Sequence, residues 1–169
     1  TWDYTFSSVD IGPDAMIILQ QYESDGDMTE VMWIYPDPYF SVVLTRNIIS
    51  GYGWPTGALI TLSIDDPDYG GTSDYSDSAY VGGYNLDVYF DTEDFNLEPG
   101  QIVTLSGGGL TLEHTVFDLQ VTSYTESSLS GIASQDAGTL YIEAYNYDWE
   151  EIYVTVNGDG SWIGVFDYL

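Results

Sequence analysis

Residues 51–67 read GYGWPTGALITLSIDDP, and the middle of that stretch decides the fold. Ile60, Leu62 and Ile64 alternate with Thr61 and Ser63, the period of two that turns one face of an extended strand toward a core and the other toward water. Gly57 precedes the run and Asp65-Asp66-Pro67 follows it, residue types that turn the chain and stop a strand at both ends. Working outward, the same pattern predicts strands at Trp2–Phe6, Met16–Tyr22, Met28–Ile34, Tyr39–Leu44, Ile48–Tyr52, Ala58–Ile64, Ser78–Val81, Leu86–Phe90, Ile102–Ser106, Leu110–Thr115, Leu119–Tyr124, Ser128–Ala133, Gly138–Tyr145, Glu150–Val156 and Ser161–Asp167. No apolar pattern with helical spacing persists for three turns, so the expected class is all-β with almost no helix.

Turn chemistry divides the chain further. Asp25-Gly26 and Gly158-Asp159-Gly160 sit between alternating runs, where Gly supplies the positive φ of a tight hairpin. Pro36-Asp37-Pro38 stiffens a connection and marks a boundary. The stretch from Asp65 to Asp77 is rich in Asp, Gly and Pro and is excluded as a central strand. Residues 158–166 read GDGSWIGVF and residues 1–6 read TWDYTF, so a Trp-bearing strand recurs at both ends, as repeated supersecondary units do. The expected organisation is an N-terminal arm, 1–35, followed by sandwich units at 36–117 and 118–169.

The charge balance narrows the function. The chain of 169 residues has 28 acidic residues against one basic residue, Arg46, for a formal net charge of −27. Nucleic acid is excluded as a partner, because phosphate contacts require Lys and Arg, and anionic membrane surfaces are disfavoured by the same repulsion. High salt, bound cations such as Ca²⁺, or an acid medium relieve such self-repulsion, and all three point to an extracellular or cell-surface location. No cysteine is present, which removes disulfides and thiol chemistry. No apolar run reaches the length of a membrane span, so membrane insertion is not expected, and no basic segment precedes an apolar stretch as in a signal peptide. Residue 1 of a secreted chain would then be a processed end.

The segments Pro36-Asp37-Pro38-Tyr39-Phe40-Ser41-Val42, Gly51–Pro67, Leu97-Glu98-Pro99-Gly100-Gln101-Ile102-Val103-Thr104, His114-Thr115-Val116, Ser130-Gly131-Ile132-Ala133 and Asp159-Gly160-Ser161-Trp162 together resemble the tandem Ig-like modules of large secreted bacterial surface proteins, notably those of Chloroflexota. The resemblance covers most of residues 36–169. It implies two Ig-like β-sandwich units in an extracellular modular protein, and little chemistry. In that family the Trp-bearing strand is usually followed by a segment like Val9-Asp10-Ile11-Gly12-Pro13 and then a hairpin. Here that material stands at the N-terminus. The family's Pro before Gly138 is absent from Gln135-Asp136-Ala137, and its Lys before the His is Glu113.

Catalysis finds little support. His114 is the only histidine, and no Gly-x-Ser-x-Gly elbow accompanies it, so no enzyme is expected and no cofactor is required. Calcium is the strongest chemical candidate, since it takes six to eight oxygens. Glu23–Asp27, Asp65–Asp77 and Asp91–Asp94 could each supply them, with Asp65, Asp66, Asp68, Asp74 and Asp77 as the first candidates, though carboxylates in turns also serve the turns themselves. Tyr145, Tyr147 and Trp149 form a candidate glycan platform, against the reading that aromatics pair across strands or fill the core. Assembly is the most specific expectation: residues 118–169 are short for an Ig-like sandwich, and the arm lacks a home upstream. Strand addition between copies answers both, against the readings that residues 1–35 fold back on their own subunit or that the chain is a piece of a longer array, with Trp2, Tyr4, Phe6, Met16, Ile17, Ile18, Leu19, Trp33, Trp162 and Phe166 as candidate contact residues. A head-to-tail contact that does not close gives a filament or surface layer made of the chain itself. Calcium-dependent adhesion or glycan binding is the alternative.

Overall fold

A computed structural model of the chain describes residues 11–12, 15–71, 73–82, 87–93, 95–145 and 149–167, the Asp136 side chain aside. The fold is all-β and sandwich-like. In order the strands are β1 (Met16–Tyr22), β2 (Met28–Ile34), β3 (Tyr39–Val43), β4 (Ile48–Tyr52), β5 (Leu59–Asp65), β6 (Tyr75–Tyr80), β7 (Val88–Asp91), β8 (Ile102–Gly107), β9 (Leu110–Thr115), β10 (Leu119–Tyr124), β11 (Ser128–Ala133), β12 (Thr139–Tyr145), β13 (Trp149–Thr155) and β14 (Ser161–Val165). Single 3₁₀ turns at Leu44–Arg46 and Gln135–Ala137 are the helical content among the described residues.

The chain divides into two compact units: 1–64 with 73–96 and 104–113, and 65–72 with 97–103 and 114–169. The first contains a two-stranded hairpin sheet, β1-β2, and a three-stranded sheet, β3-β4-β7. A four-stranded sheet ordered β6-β5-β8-β9 opposes the three-stranded one, as the side chains around Gly51 on β4 establish. A methyl group built on Gly51 would lie 2.7 Å from Nε1 of Trp54, 2.8 Å from Val88 and 3.1 Å from Leu105 of β8. Strand β5 buries every second residue, Ile60, Leu62 and Ile64, as its sequence requires. With Ile49, Phe90, Leu105 and Trp54 these are fully or almost fully buried, and each such side chain stabilises the fold by about 1.5–3 kcal/mol relative to exposure. The edge strand β6 begins at Tyr75, three residues before the predicted start, because an edge position accepts the polar Ser76-Asp77 that a central strand would not.

The second unit is thinner. Its sheets are β10-β11-β14 and β12-β13, three strands against two. Ala133, Leu140, Val156 and Trp162 form the core, with Leu129, Ala137, Ile142 and Val154 packed on them. The Trp162 ring lies over Gly131 of β11, where a methyl group would meet Cζ2 at 2.6 Å and Cε2 at 2.7 Å. Both units thus seat a buried Trp on a strand glycine. Neither indole N–H has a hydrogen-bond partner, an omission that costs about 1–3 kcal/mol and that burial of a large ring offsets. Gly160 at φ 83° closes the β13–β14 turn as the Gly-Asp-Gly motif predicts. There Asp159 accepts hydrogen bonds from the Ser161 N–H at 3.0 Å and from its hydroxyl at 2.7 Å. These bonds hold the Asp159 carboxyl below the usual range.

Candidate assembly site

The hairpin is built as its sequence dictates. Strands β1 and β2 pair in unbroken register from Met16↔Ile34 to Tyr22↔Met28, and the backbone ladder continues through the Tyr35 N–H donated to the Ala15 carbonyl at 2.8 Å. The turn is closed by the Glu23 N–H donated to the Asp27 carbonyl at 2.8 Å, with Gly26 at φ 99°. Among the described residues no third strand pairs with it. The hairpin forms its own two-stranded sheet, and a lone hairpin is marginally stable in water at best.

Its two faces differ. Ile17, Leu19, Val31 and Trp33 make two adjacent cross-strand pairs on one face, with polar Gln21 and Thr29 only at the tip. On the other face Gln20 donates to Glu30 at 2.6 Å and the Tyr22 hydroxyl donates to Gln20 at 3.0 Å, so polar groups interrupt the apolar residues Met16, Ile18, Met28, Met32 and Ile34. Met16, Ile18, Leu19, Tyr22, Met28, Val31 and Trp33 are all exposed.

The second unit carries the complementary feature. Residues paired directly across an antiparallel ladder share a face, and β10 pairs with β11 as Leu119↔Ala133, Val121↔Gly131 and Tyr124↔Leu129. Ala133, Gly131 and Leu129 face the Trp162 core. Leu119, Val121 and Tyr124 therefore belong to the core side, yet they are 54%, 57% and 79% exposed. Two strands cannot cover three. At one end of this face a pocket of about 320 Å³ opens among Leu129, Ala144, Tyr145 and Phe166.

Of the other predicted contact residues, Trp162 and Phe166 are buried in their own unit, whereas Trp2, Tyr4 and Phe6 lie outside the described residues. Asp65 ends β5 and Asp77 lies on β6. Asp66 accepts the Asp68 N–H at 3.0 Å, and Asp74 donates its backbone N–H to the Ile64 carbonyl at 2.8 Å. Among the described residues no group of three or more His, Asp or Glu side chains is arranged to hold a metal ion. His114 meets the Phe117 ring edge-on at 5.0 Å. Tyr145 and Trp149 are cross-strand partners on the outer face of β12–β13 and are exposed, while Tyr147 lies outside the described residues.

That outer face also brings Glu143 directly opposite Glu151, a like-charge pair that opposes strand pairing. The Tyr141 hydroxyl lies 2.7 Å from a carboxylate oxygen of each. One phenolic proton serves two carboxylates, and those hydrogen bonds, Glu151 first and then Glu143, raise the Tyr141 pKa well above the ordinary phenol value. Sequence reasoning missed both this triad and the uncovered face of β10. Glu143 and Glu151 become neighbours only through the β12–β13 register, and β10 alternates like any half-buried strand.

No helix among the described residues is long and apolar enough to cross a membrane. No protein-family model matches the chain, and a search of curated proteins returns no match.

Proposed function

We propose that the chain is a structural subunit of an extracellular filament or surface layer, polymerising head-to-tail as the hairpin of one copy completes the thin sandwich of the next. The observation that carries this reading is the hairpin itself: two well-registered strands, with apolar side chains on both faces, that join no larger sheet among the described residues. Strand addition supplies backbone partners and buries alternate side chains in one step. A contact between different surfaces of identical copies propagates without closing. The net charge of −27 opposes association at low ionic strength, and salt within a Debye length of about 8–10 Å relieves it.

Deletion of residues 1–35 tests the proposal. Soluble, β-rich monomer that forms no polymer is the expected product. Fibres formed by the truncated chain, seen by electron microscopy, would overturn it.

Glycan binding is the second reading. Tyr141, Tyr145, Trp149 and Tyr153 line one exposed face beside Glu143 and Glu151, an arrangement that offers rings for stacking and carboxylates as acceptors for hydroxyl groups.

A further inference from the structure

We infer that the acceptor for the hairpin is the uncovered core-side face of β10 in the second unit of another copy, where the hairpin joins the free edge of β12 and Trp33 anchors it. The inference rests on the assembly reading above. Among the described residues β12 pairs with β13 alone, so among them no strand occupies its other edge. A strand added there lies about 4.8 Å from β12 and about 10 Å across from the opposing sheet, the spacing that covers β10.

Three observations select a second copy as the occupant. The first is charge. Acidic residues make up 28 of 169, about one in six, yet neither β1 (MIILQQY) nor β10 (LQVTSY) contains one; Glu30 of β2 lies on the hairpin face away from Leu19 and Glu143 of β12 on that strand's outer face, which leaves Glu126 at the pocket as the carboxylate beside the contact. Two chains that repel each other nearly everywhere can meet where carboxylates are few. The second is area. On the face turned to β10 the exposed side chains are Leu19, Val31 and Trp33, on the order of 300 Å² of apolar surface, so the strand edge joined to β12 must supply the rest of the roughly 800 Å² that each partner of a standard stable interface buries. The third is fit. Strands β1, β2 and β12 are each seven residues long. The uninterrupted apolar face, Ile17, Leu19, Val31 and Trp33, places one large aromatic at the open end of the hairpin. The pocket of about 320 Å³ beside Leu129 and Ala144 receives it there, while Leu19 and Val31 cover Val121.

A larger groove of about 570 Å³ between β13 and β14 does not serve this purpose. Its β14 lining, Ile163 and Val165, alternates with the buried Trp162 and Gly164 and so faces outward.

The chain has no cysteine, so single thiols can be placed without side reactions. Leu19→Cys and Val121→Cys chains, differently tagged and mixed under assembling conditions, should give a covalent heterodimer with a bis-maleimide spanning about 10 Å, the thickness of a sandwich core. A Tyr89→Cys chain, altered on the outer face of β7, should give none with Leu19→Cys. Val121→Glu should abolish polymers while the monomer melts within about 4 °C of the parent, because the site is already more than half exposed. Polymers formed by Val121→Glu, or polymers that yield no heterodimer, would overturn this acceptor while leaving hairpin donation standing. An intramolecular cross-link in the dilute double variant Leu19→Cys/Val121→Cys would overturn the contact between copies. Absence of polymers from the intact chain would instead overturn the assembly reading itself.

Discussion

Replacing Gly131 with Ala tests the packing of the second unit most sharply. The added methyl group would sit 2.6 Å and 2.7 Å from two carbons of the Trp162 ring and against the Gln120 carbonyl of the paired strand. The ring has nowhere to retreat: Trp162 is 4% exposed and is packed among Ala133, Leu140 and Val156. Overpacking of this kind costs about 1–3 kcal/mol, and the upper end applies because one of the obstructing atoms is main chain in the β10–β11 ladder. For a unit of 60–100 residues each kcal/mol lowers Tm by about 4–8 °C, so a fall of about 12–24 °C is expected for the second unit. Gly158→Ala is the control, since nothing lies within 4 Å of its added methyl group and no left-handed backbone is involved. It should change stability by no more than about 0.5 kcal/mol. Calorimetry on the three chains reads both effects. A Gly131→Ala transition within about 4 °C of the parent would refute the seating of Trp162 on β11.

Two further predictions concern the outer face of β12–β13. The Tyr141 pKa is raised in the folded chain by its two carboxylate partners. Its contribution to stability is therefore fully present below the unfolded phenol value of about 10 and is lost as pH rises through the folded value. The difference between the ultraviolet pH titrations of the parent and of Tyr141→Phe should isolate one tyrosine that ionises above the ordinary range, and a difference centred near pH 10 would contradict the shared-proton geometry. If the face also binds sugars, Trp149→Ala should remove any signal on a glycan array without altering polymer formation. A signal retained by that variant would exclude Trp149 from binding.

The strands of the hairpin were legible in the sequence. Met16–Tyr22 and Met28–Ile34 match the observed strands residue for residue, because β-forming runs flank the turn residues Asp25-Gly26, whereas the consecutive apolar residues Met16–Leu19 leave the inward face open. β5 was legible for the same reason, its apolar positions falling on the buried face. Ends were less so where side chains compete with the ladder. β6 starts at Tyr75 within the stretch read as an acidic loop, and Leu44–Arg46 forms a 3₁₀ turn where the sequence carries an apolar run forward into Leu44.

The candidate site divides along similar lines. Ile17, Leu19 and Trp33 announce themselves as apolar residues of β-forming runs, and they lie on one face of the hairpin. Trp162 and Phe166 read as contact residues from the strand repeat, but they are buried within their own unit. The uncovered face of β10 has no local signature. Leu119 and Val121 alternate with polar residues exactly as covered strands do, and their exposure follows from the number of strands opposite, a property of topology rather than of the segment.

The most direct test of the account is the mass of the intact chain by light scattering as concentration and salt are raised, beside the chain lacking residues 1–35. The account predicts growth from 18.8 kDa into a series of multiples for the intact chain, and a constant monomer for the truncated one. An intact chain that stays monomeric at every concentration and salt, or a truncated chain that grows in parallel with it, would contradict the central claim.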